Sequence, residues 1–341
     1  MEYFSNTKEN EQSTDVYIRV SFTKIHEIDT LNQRFHAELL IESKWFDQSV
    51  KTINHDLKSL EWKPEIYIEN ALNEPKEEIT YRIIQSENLM VCEIRKIKGV
   101  FWENLELENF PLDIQNLSII ILTKKSGKKV NFILMQDELS KIKISNNLDK
   151  SSWYLHEMVK VNREEVTREY SFGQRIYPGI RITCQAFRLP GYFYWNVLLP
   201  IFLITFASLG PFVIDCKSAF TRLPSTATML LSSVSFKGVV GRLLPTVSYL
   251  TSLDKYSLAS ITLISLMFIY HSILAAFIPV LTESLSYYLD KMAFLGFFGL
   301  VVTMQLVYGL WIIKVNNFRN RLIEKSIFYE HQCEPSHKKN N

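Results

Sequence analysis

Cysteine is scarce and unpatterned in this sequence. The four in 341 residues, Cys92, Cys184, Cys216 and Cys333, show neither a pairing rhythm nor a CxxC spacing. Nothing therefore calls for a disulfide framework or a thiolate metal site. The seven histidines are equally scattered, without ligand spacing, so no catalytic metal is expected. A net charge of +2, with no basic patch interleaved with aromatics, argues against a nucleic-acid partner. Also missing are a GxSxG elbow, a P-loop, an HExxH helix and any well-placed carboxylate pair. An enzyme is not expected, and no cofactor is implied. Internal repeats are absent, and low complexity is confined to the polar ends. Met1 to Asp15 holds no apolar signal core. An extracytoplasmic N-terminal domain would call for a leader outside this sequence, or for export driven by the first membrane span.

What is present divides the chain in two. A hydrophobic content of 47% averages a polar first half with a frankly apolar second half that begins at Leu189. The apolar half holds four membrane-length segments: "NVLLPIFLITFASLGPFVI", "TRLPSTATMLLSSVSFKGVVGRLLP", "YSLASITLISLMFIYHSILAAFIPVL" and "MAFLGFFGLVVTMQLVYGLWII". Each approaches the ~20 residues that a spanning helix needs. The expected helices cover about 192–214, 220–243, 256–281 and 290–314. The short connection "TESLSYYLDK" joins the last two, and a polar tail, 315–341, follows. Four spans would leave both ends of the chain on one side of the membrane.

Residues 1–189 read as β. Short runs rich in Val, Ile, Tyr and Phe, such as "VYIRVSF", "FHAELLIESKWF", "LSIIILT" and "GIRITCQAFR", alternate with the turn signals "NEPKE", "KKSGKK" and "SNNLDK". Many closely spaced strands with little helical periodicity predict a β-sandwich, followed here by a four-helix transmembrane bundle.

The second apolar segment is unusually wet. One helical face, followed in steps of three and four, runs Pro224, Thr228, Leu231, Ser235, Gly238 and Arg242. Leu223, Met229, Leu230, Val234, Phe236, Val239 and Leu243 occupy the other faces, and Lys237 lies off the stripe. Polar groups in hydrocarbon must face protein or water. A hydroxyl stripe crossed by one leucine suits a water-filled passage that gates by dewetting. It equally suits a close helix–helix seam of small residues. A passage further requires several copies of the chain around an axis.

Phe110-Pro111-Leu112-Asp113, in "ENFPLDIQNL", resembles the loop that characterises the pentameric ligand-gated ion channels of the Cys-loop receptor superfamily. Other segments agree at matching spacing. "EIDTLNQRFHAELLIESKWFD" is similar to the family's first hairpin, ending at Trp45 and Asp47. "WKPEIYIENA" resembles the approach to its first ligand-binding loop. "FRLPGYFYWNVLLP" is similar to the junction before the first span, with Arg188 and Pro200 in place, and "RLLPTVSYLTSLDKY" to the linker after the pore helix. The likeness covers about Tyr17 to Lys314. The two cysteines that bracket the loop in animal receptors fall on Glu103 and Leu117, so that disulfide is absent, as is the large cytoplasmic insert. Both departures resemble the prokaryotic-type branch. The tail sequence "KVNNFRNRLIEK" places positive charge on the side the family makes extracytoplasmic, against the positive-inside tendency.

The resemblance implies an integral protein of the plasma (inner) membrane with its β-domain extracytoplasmic. It implies a homopentamer in contact with membrane lipids, gated by a small-molecule agonist or by protons, and conducting permeant ions. Pro224, Thr228, Leu231, Ser235, Gly238 and Arg242 would line the path, with Leu231 as the gate. Thr30, Leu31, Phe110, Pro111, Leu112, Asp113, Arg188 and Pro245 would couple the two halves, and Asp113 would pair with Arg188. In the agonist site the family's aromatic positions fall on Glu69, Lys124 and Leu40, none of them aromatic. Tyr170, Phe172 and Tyr177 of the capping loop supply rings. A choline-like agonist is thereby disfavoured, while a zwitterionic or anionic ligand, or proton gating through carboxylates and His156, stays open. Arg242 at the outer mouth, with Arg222 at the other end, favours anions. The alternatives are a cation-selective member and a non-conducting sensor of the same fold.

Overall fold

The computed structural model describes residues 13–47, 50, 60, 62–85, 89–125, 130–135, 152–167 and 176–333. They form two compact units. The first takes residues up to Asp29, Gln33–Leu105 and Gln115–Ala186, and the second Thr30–Asn32, Glu106–Ile114 and the chain from Phe187 onward.

Strands make up the first unit: β1 Thr14–Asp29, β2 Arg34–Phe46, β3 Ile66–Ile68, β4 Lys76–Gln85, β5 Leu89–Trp102, β6 Ile114–Thr123, β7 Val130–Leu134, β8 Trp153–Thr167 and β9 Ile176–Arg188. One sheet runs β4-β5-β2-β1-β7 and the other β3-β6-β9-β8. Strand alternation explains why these sequences suit a sandwich. In β2, Phe35, Ala37, Leu39, Ile41, Ser43 and Trp45 are buried, and the residues that alternate with them are more exposed. The apolar ones meet Ile119, Ile121, Ile180 and Ile182 of the other sheet in a single core. Trp45 stands edge-on to Trp62 at 5.8 Å, and Phe35 lies 5.6 Å from Phe101. The β1–β2 hairpin is antiparallel in the register Val20↔Ile41 and Asp29↔Arg34. Its turn closes with Gln33 in the left-handed region at φ 51°. On β9, Gly179 leaves room where a Cβ would meet the Leu122 side chain.

The second unit is helical: α1 Gly191–Val213, α2 Ala219–Gly241, α3 Ser252–Phe277 and α4 Glu283–Cys333. A π-turn at Tyr194–Leu198 precedes Pro200, whose missing N–H interrupts the regular ladder. Helix α3 starts in a capping box: the Asp254 N–H donates to the Thr251 hydroxyl at 3.1 Å, and the Thr251 N–H to the Asp254 carboxylate at 3.2 Å. Among the described residues, α1, α3 and the Glu283–Glu324 part of α4 are long and apolar enough to cross a membrane, whereas the wetter α2 does not meet that measure.

The helix bounds differ from the sequence expectation at α3, expected over 256–281 and found at Ser252–Phe277, and at both ends of α4. Most of "TESLSYYLDK" is the first turns of α4, and the helix continues beyond 314 to Cys333. No proline or glycine falls between Gly309 and Cys333, so nothing in the chain stops the helix there.

Candidate functional site

Helix α2 turns one face inward and leaves the opposite one open. Arg222, Thr226, Ser233 and Val240 are buried, and they share one side of a 3.6-residue helix. Pro224, Thr228, Leu231, Ser235, Gly238 and Arg242 are all exposed, with Leu231 at 67%. The stripe traced from the sequence is therefore the free face of α2. Thr228 folds its hydroxyl back onto the Pro224 carbonyl at 2.8 Å, and Ser232 does the same onto Thr228. Such back-bonds let hydroxyls lie on a helix without opening its ladder.

The two cations near this stripe are occupied elsewhere. Arg222, only 2% exposed, donates from both terminal nitrogens to Asp290 of α4, each at 2.7 Å. It also donates to the Ile214 carbonyl through Nε at 2.8 Å and to the Phe212 carbonyl at 3.2 Å. The expectation that Arg222 helps favour anions is corrected on this point: a guanidinium buried against a carboxylate and carbonyls presents no free charge to a passing ion. Lys237, unexplained by the stripe, donates to Asp254 of the α3 capping box at 2.7 Å. Arg242 stays exposed.

A second cluster in the helical unit centres on Arg188. Its Nε donates to Asp113 Oδ1 at 2.8 Å, and one terminal nitrogen donates to Asp113 Oδ2 and to the Thr30 hydroxyl, each at 3.2 Å. Asp113 and Arg188 are both buried. The guanidinium also sits 4.9 Å from the Phe110 ring centre, and Phe110 stands edge-on to Phe193 at 4.6 Å. Phe110 and Leu107 join Val197, Ile201, Val240, Leu244, Leu253 and Tyr256 in one apolar cluster. Pro111 and Leu112 are buried as well, Pro245 is half-buried, and Leu31 at the hairpin tip is exposed. The loop is held further by the Leu107 N–H donating to the Tyr249 hydroxyl at 2.9 Å and by Ser252 bonding the Glu108 carbonyl through N–H and hydroxyl. Sequence reasoning missed Arg319, a buried cation of α4 whose guanidinium donates to the Arg188 carbonyl at 2.7 Å. This accounts for one positive charge of "KVNNFRNRLIEK". It missed Asp290 too, although an acid at the edge of a membrane-length apolar run signals a buried partner.

Within the β unit, Glu69 and Lys124 are exposed, and Leu40 and Tyr177 are half-buried. Tyr170 and Phe172 lie outside the described residues. Glu69 is set by its neighbour Asn70, whose amide donates to the Trp102 and Ser118 carbonyls and accepts from the Ile120 N–H. Trp62 already carries the Lys125 ammonium at 4.7 Å from its ring centre. Around Leu40 the outer face of the five-stranded sheet forms a cleft of about 810 Å³, lined by Arg19, Lys76, Lys96 and Lys98 against Glu38, Glu77 and Glu78.

Where animal receptors place the first bracketing cysteine, the Glu103 carboxylate accepts from the Ser118 N–H at 2.7 Å, one residue past Leu117. Burial raises its pKa above the ordinary carboxylate value, and outweighs the Ser118 hydrogen bonds and the Arg181 charge, which act the other way.

One unit is thus a β-sandwich, and the other holds helices long and apolar enough to cross a membrane. The family model of the neurotransmitter-gated ion-channel ligand binding domain matches residues 2–189, and the chain belongs to that family. It is 23% identical over 270 residues to the acetylcholine-gated chloride channel subunit acc-2 of Caenorhabditis elegans, covering 74% of this chain and 59% of that protein. It is 23% identical over 283 residues to the neuronal acetylcholine receptor subunit alpha-9 of Gallus gallus, covering 77% and 56%. Subunit alpha-9-I of Oncorhynchus mykiss is 24% identical over 285 residues, covering 78% and 48%. The chain thus spans about half the length of the curated relatives it matches.

Proposed function

We propose that this chain is one subunit of a homopentameric ligand-gated ion channel in the plasma membrane, with its β-sandwich outside and the free face of α2 lining the conduction path. The observation that carries the reading is the division of α2: a hydroxyl and glycine stripe interrupted by Leu231 is exposed, while the opposite face is anchored by Arg222. In hydrocarbon such a stripe is costly, and water along an axis between subunits removes the cost. Leu231 is the apolar ring that closes the path, with Thr228 and Ser235 as hydroxyl rings on either side. The Thr30, Phe110, Asp113 and Arg188 cluster relays the state of the ligand domain. Arg242, as the remaining exposed cation of the stripe, favours anions.

The relatives' names include acetylcholine-gated subunits, but an ammonium ligand needs aromatic faces. Here Glu69, Lys124 and Leu40 stand at those positions, and Trp62 is already stacked by Lys125. A zwitterionic or anionic agonist, or a proton, fits these side chains better.

The test is the full chain reconstituted in a planar bilayer under a salt gradient, challenged with acid steps and with panels of amino acids and amines. Evoked current at a reversal potential near the anion Nernst value is expected. An intact pentamer that stays silent to every challenge would favour the non-conducting sensor.

A further inference from the structure

Arg95 of β5 is a buried cation inside the sandwich, and it reaches from one sheet to the other. Its Nε donates to Glu93 Oε1 on its own strand at 2.9 Å. One terminal nitrogen donates to Glu77 Oε2 of β4 at 3.0 Å and to the Ile66 carbonyl of β3 at 2.7 Å. β3 lies at the edge of the four-stranded sheet and pairs with β6 over only three residues. The chain enters it through Glu65 in the left-handed region, at φ 49°, so the strand is short and its start is strained. Both candidate agonist residues hang from this strand. The Lys124 N–H donates to the Glu65 carbonyl at 3.1 Å, and the Glu69 N–H, just past β3, donates to the Ile120 carbonyl at 2.9 Å. On β5 the next residue, Lys96, points to the other side of the sheet. It stands opposite Leu40 and lines the cleft of about 810 Å³.

We infer that Arg95 is the positioning residue that links the cleft around Leu40 to the loop carrying Glu69 and Lys124 in the same subunit. The inference rests on the proposed agonist site between neighbouring subunits, where Leu40 faces one neighbour and Glu69 and Lys124 face the other. A ligand against the cleft bears on the outer side of β5, and the guanidinium on the inner side carries the displacement to β3. Arginine suits this task because its planar fork holds several acceptors in fixed directions, whereas a lysine ammonium is a point charge. Coupling travels through contiguous contacts. Here they run from Leu40 to Lys96 by strand pairing, from Lys96 to Arg95 along the chain, and from Arg95 to Ile66 by the 2.7 Å hydrogen bond. A ligand at one subunit boundary then sets the loop geometry that meets a ligand at the next boundary.

Hydrogen exchange of the full chain in detergent tests this without any ligand. Lys96→Glu reverses the charge beside Leu40 on the exposed side of β5. It should change exchange at the Glu69 and Lys124 amides by about two- to thirtyfold, the range that a transmitted coupling spans. In an Arg95→Lys background, which keeps the charge but not the fork, the same substitution should leave those amides unmoved. The Phe35 amide, six residues along β2 from the position opposite Arg95, should exchange as in wild type throughout. An equal response in both backgrounds, or none in the wild-type one, would overturn the inference and leave Arg95 a structural clamp. Should Arg95→Lys fail to fold, Glu77→Gln takes its place, on a side chain 28% exposed. It loosens one arm of the fork and should weaken the response, and an undiminished response would likewise overturn the inference. A chain silent to acid steps and amino acids in the bilayer would fail the channel reading, while these exchange rates would still decide on Arg95.

Discussion

Arg222 of α2 and Asp290 of α4 form a buried bidentate ion pair, with both N–O distances 2.7 Å. Two charges out of water are tolerated there because the geometry is good and the Ile214 and Phe212 carbonyls accept further hydrogen bonds from the guanidinium. Removing one partner leaves the other buried and unpaired. Asp290→Ala should therefore destabilise the assembly by about 3–5 kcal/mol. Thermal unfolding of the detergent-solubilised chain measures this. The double variant Arg222→Met with Asp290→Leu should recover much of the loss, since an apolar pair of similar volume fills the same space without stranded charge.

Leu231 offers a gating prediction. If its ring closes the path by dewetting, Leu231→Thr should hydrate it and favour the open state. Macroscopic currents should show a lowered agonist midpoint, a standing leak, or both. A midpoint equal to wild type without leak would remove Leu231 as the gate.

Asp113 and Arg188 share two hydrogen bonds and a buried setting. Breaking the pair from either side should cost about 3 kcal/mol or more in whichever state keeps it desolvated. A double-mutant cycle with Asp113→Asn and Arg188→Gln, read on the agonist midpoint, should give a coupling energy well above zero. Strictly additive shifts would mean that the pair holds structure without taking part in gating.

The Glu103 carboxyl has its pKa raised by burial, so the folded chain binds its proton more tightly than the unfolded one does. Stability from this group is then fully present below the unfolded carboxylate value, about 4.3. It is lost as pH rises through the folded value. Glu103→Gln keeps an acceptor for the Ser118 N–H without a charge to bury. It should raise the melting temperature at pH 7, with the gain shrinking as the pH is lowered through the carboxylate range. A gain independent of pH would assign the effect to packing.

The sandwich was legible because a strand half-buried in a core repeats every two residues, as β2 does from Phe35 to Trp45. The free face of α2 was legible for a related reason: its polar residues recur at helical spacing. What the free face adjoins was not, since a small-residue seam has the same pattern. Ion-pair partners distant in sequence were harder still. Arg222 meets Asp290 and Lys237 meets Asp254 across separate helices, and no local periodicity encodes such pairings. The Asp113–Arg188 pair could be named only through the family likeness. The end of α4 was misplaced because polarity after residue 314 marks the edge of an apolar span and not the end of a helix.

Charge selectivity of the proposed path should now depend on Arg242, the residue that caps the C-terminal end of α2. Arg222 and Lys237 are each matched by a carboxylate, so neither adds net positive charge to the path. In the proposed pentamer, five exposed guanidiniums around the mouth would act together on an ion that passes within a Debye length, about 8 Å at physiological salt. Low-dielectric walls strengthen that field. Arg242→Glu should move the reversal potential in a salt gradient from the anion towards the cation Nernst value, and Arg242→Gln should move it part of the way. Raising the bath salt should shrink both shifts, because screening weakens an exposed ring far more than a buried pair. Reversal at the cation value already in the wild-type chain would reject the anion path outright, and would direct attention to Asp215, an exposed acid just before α2.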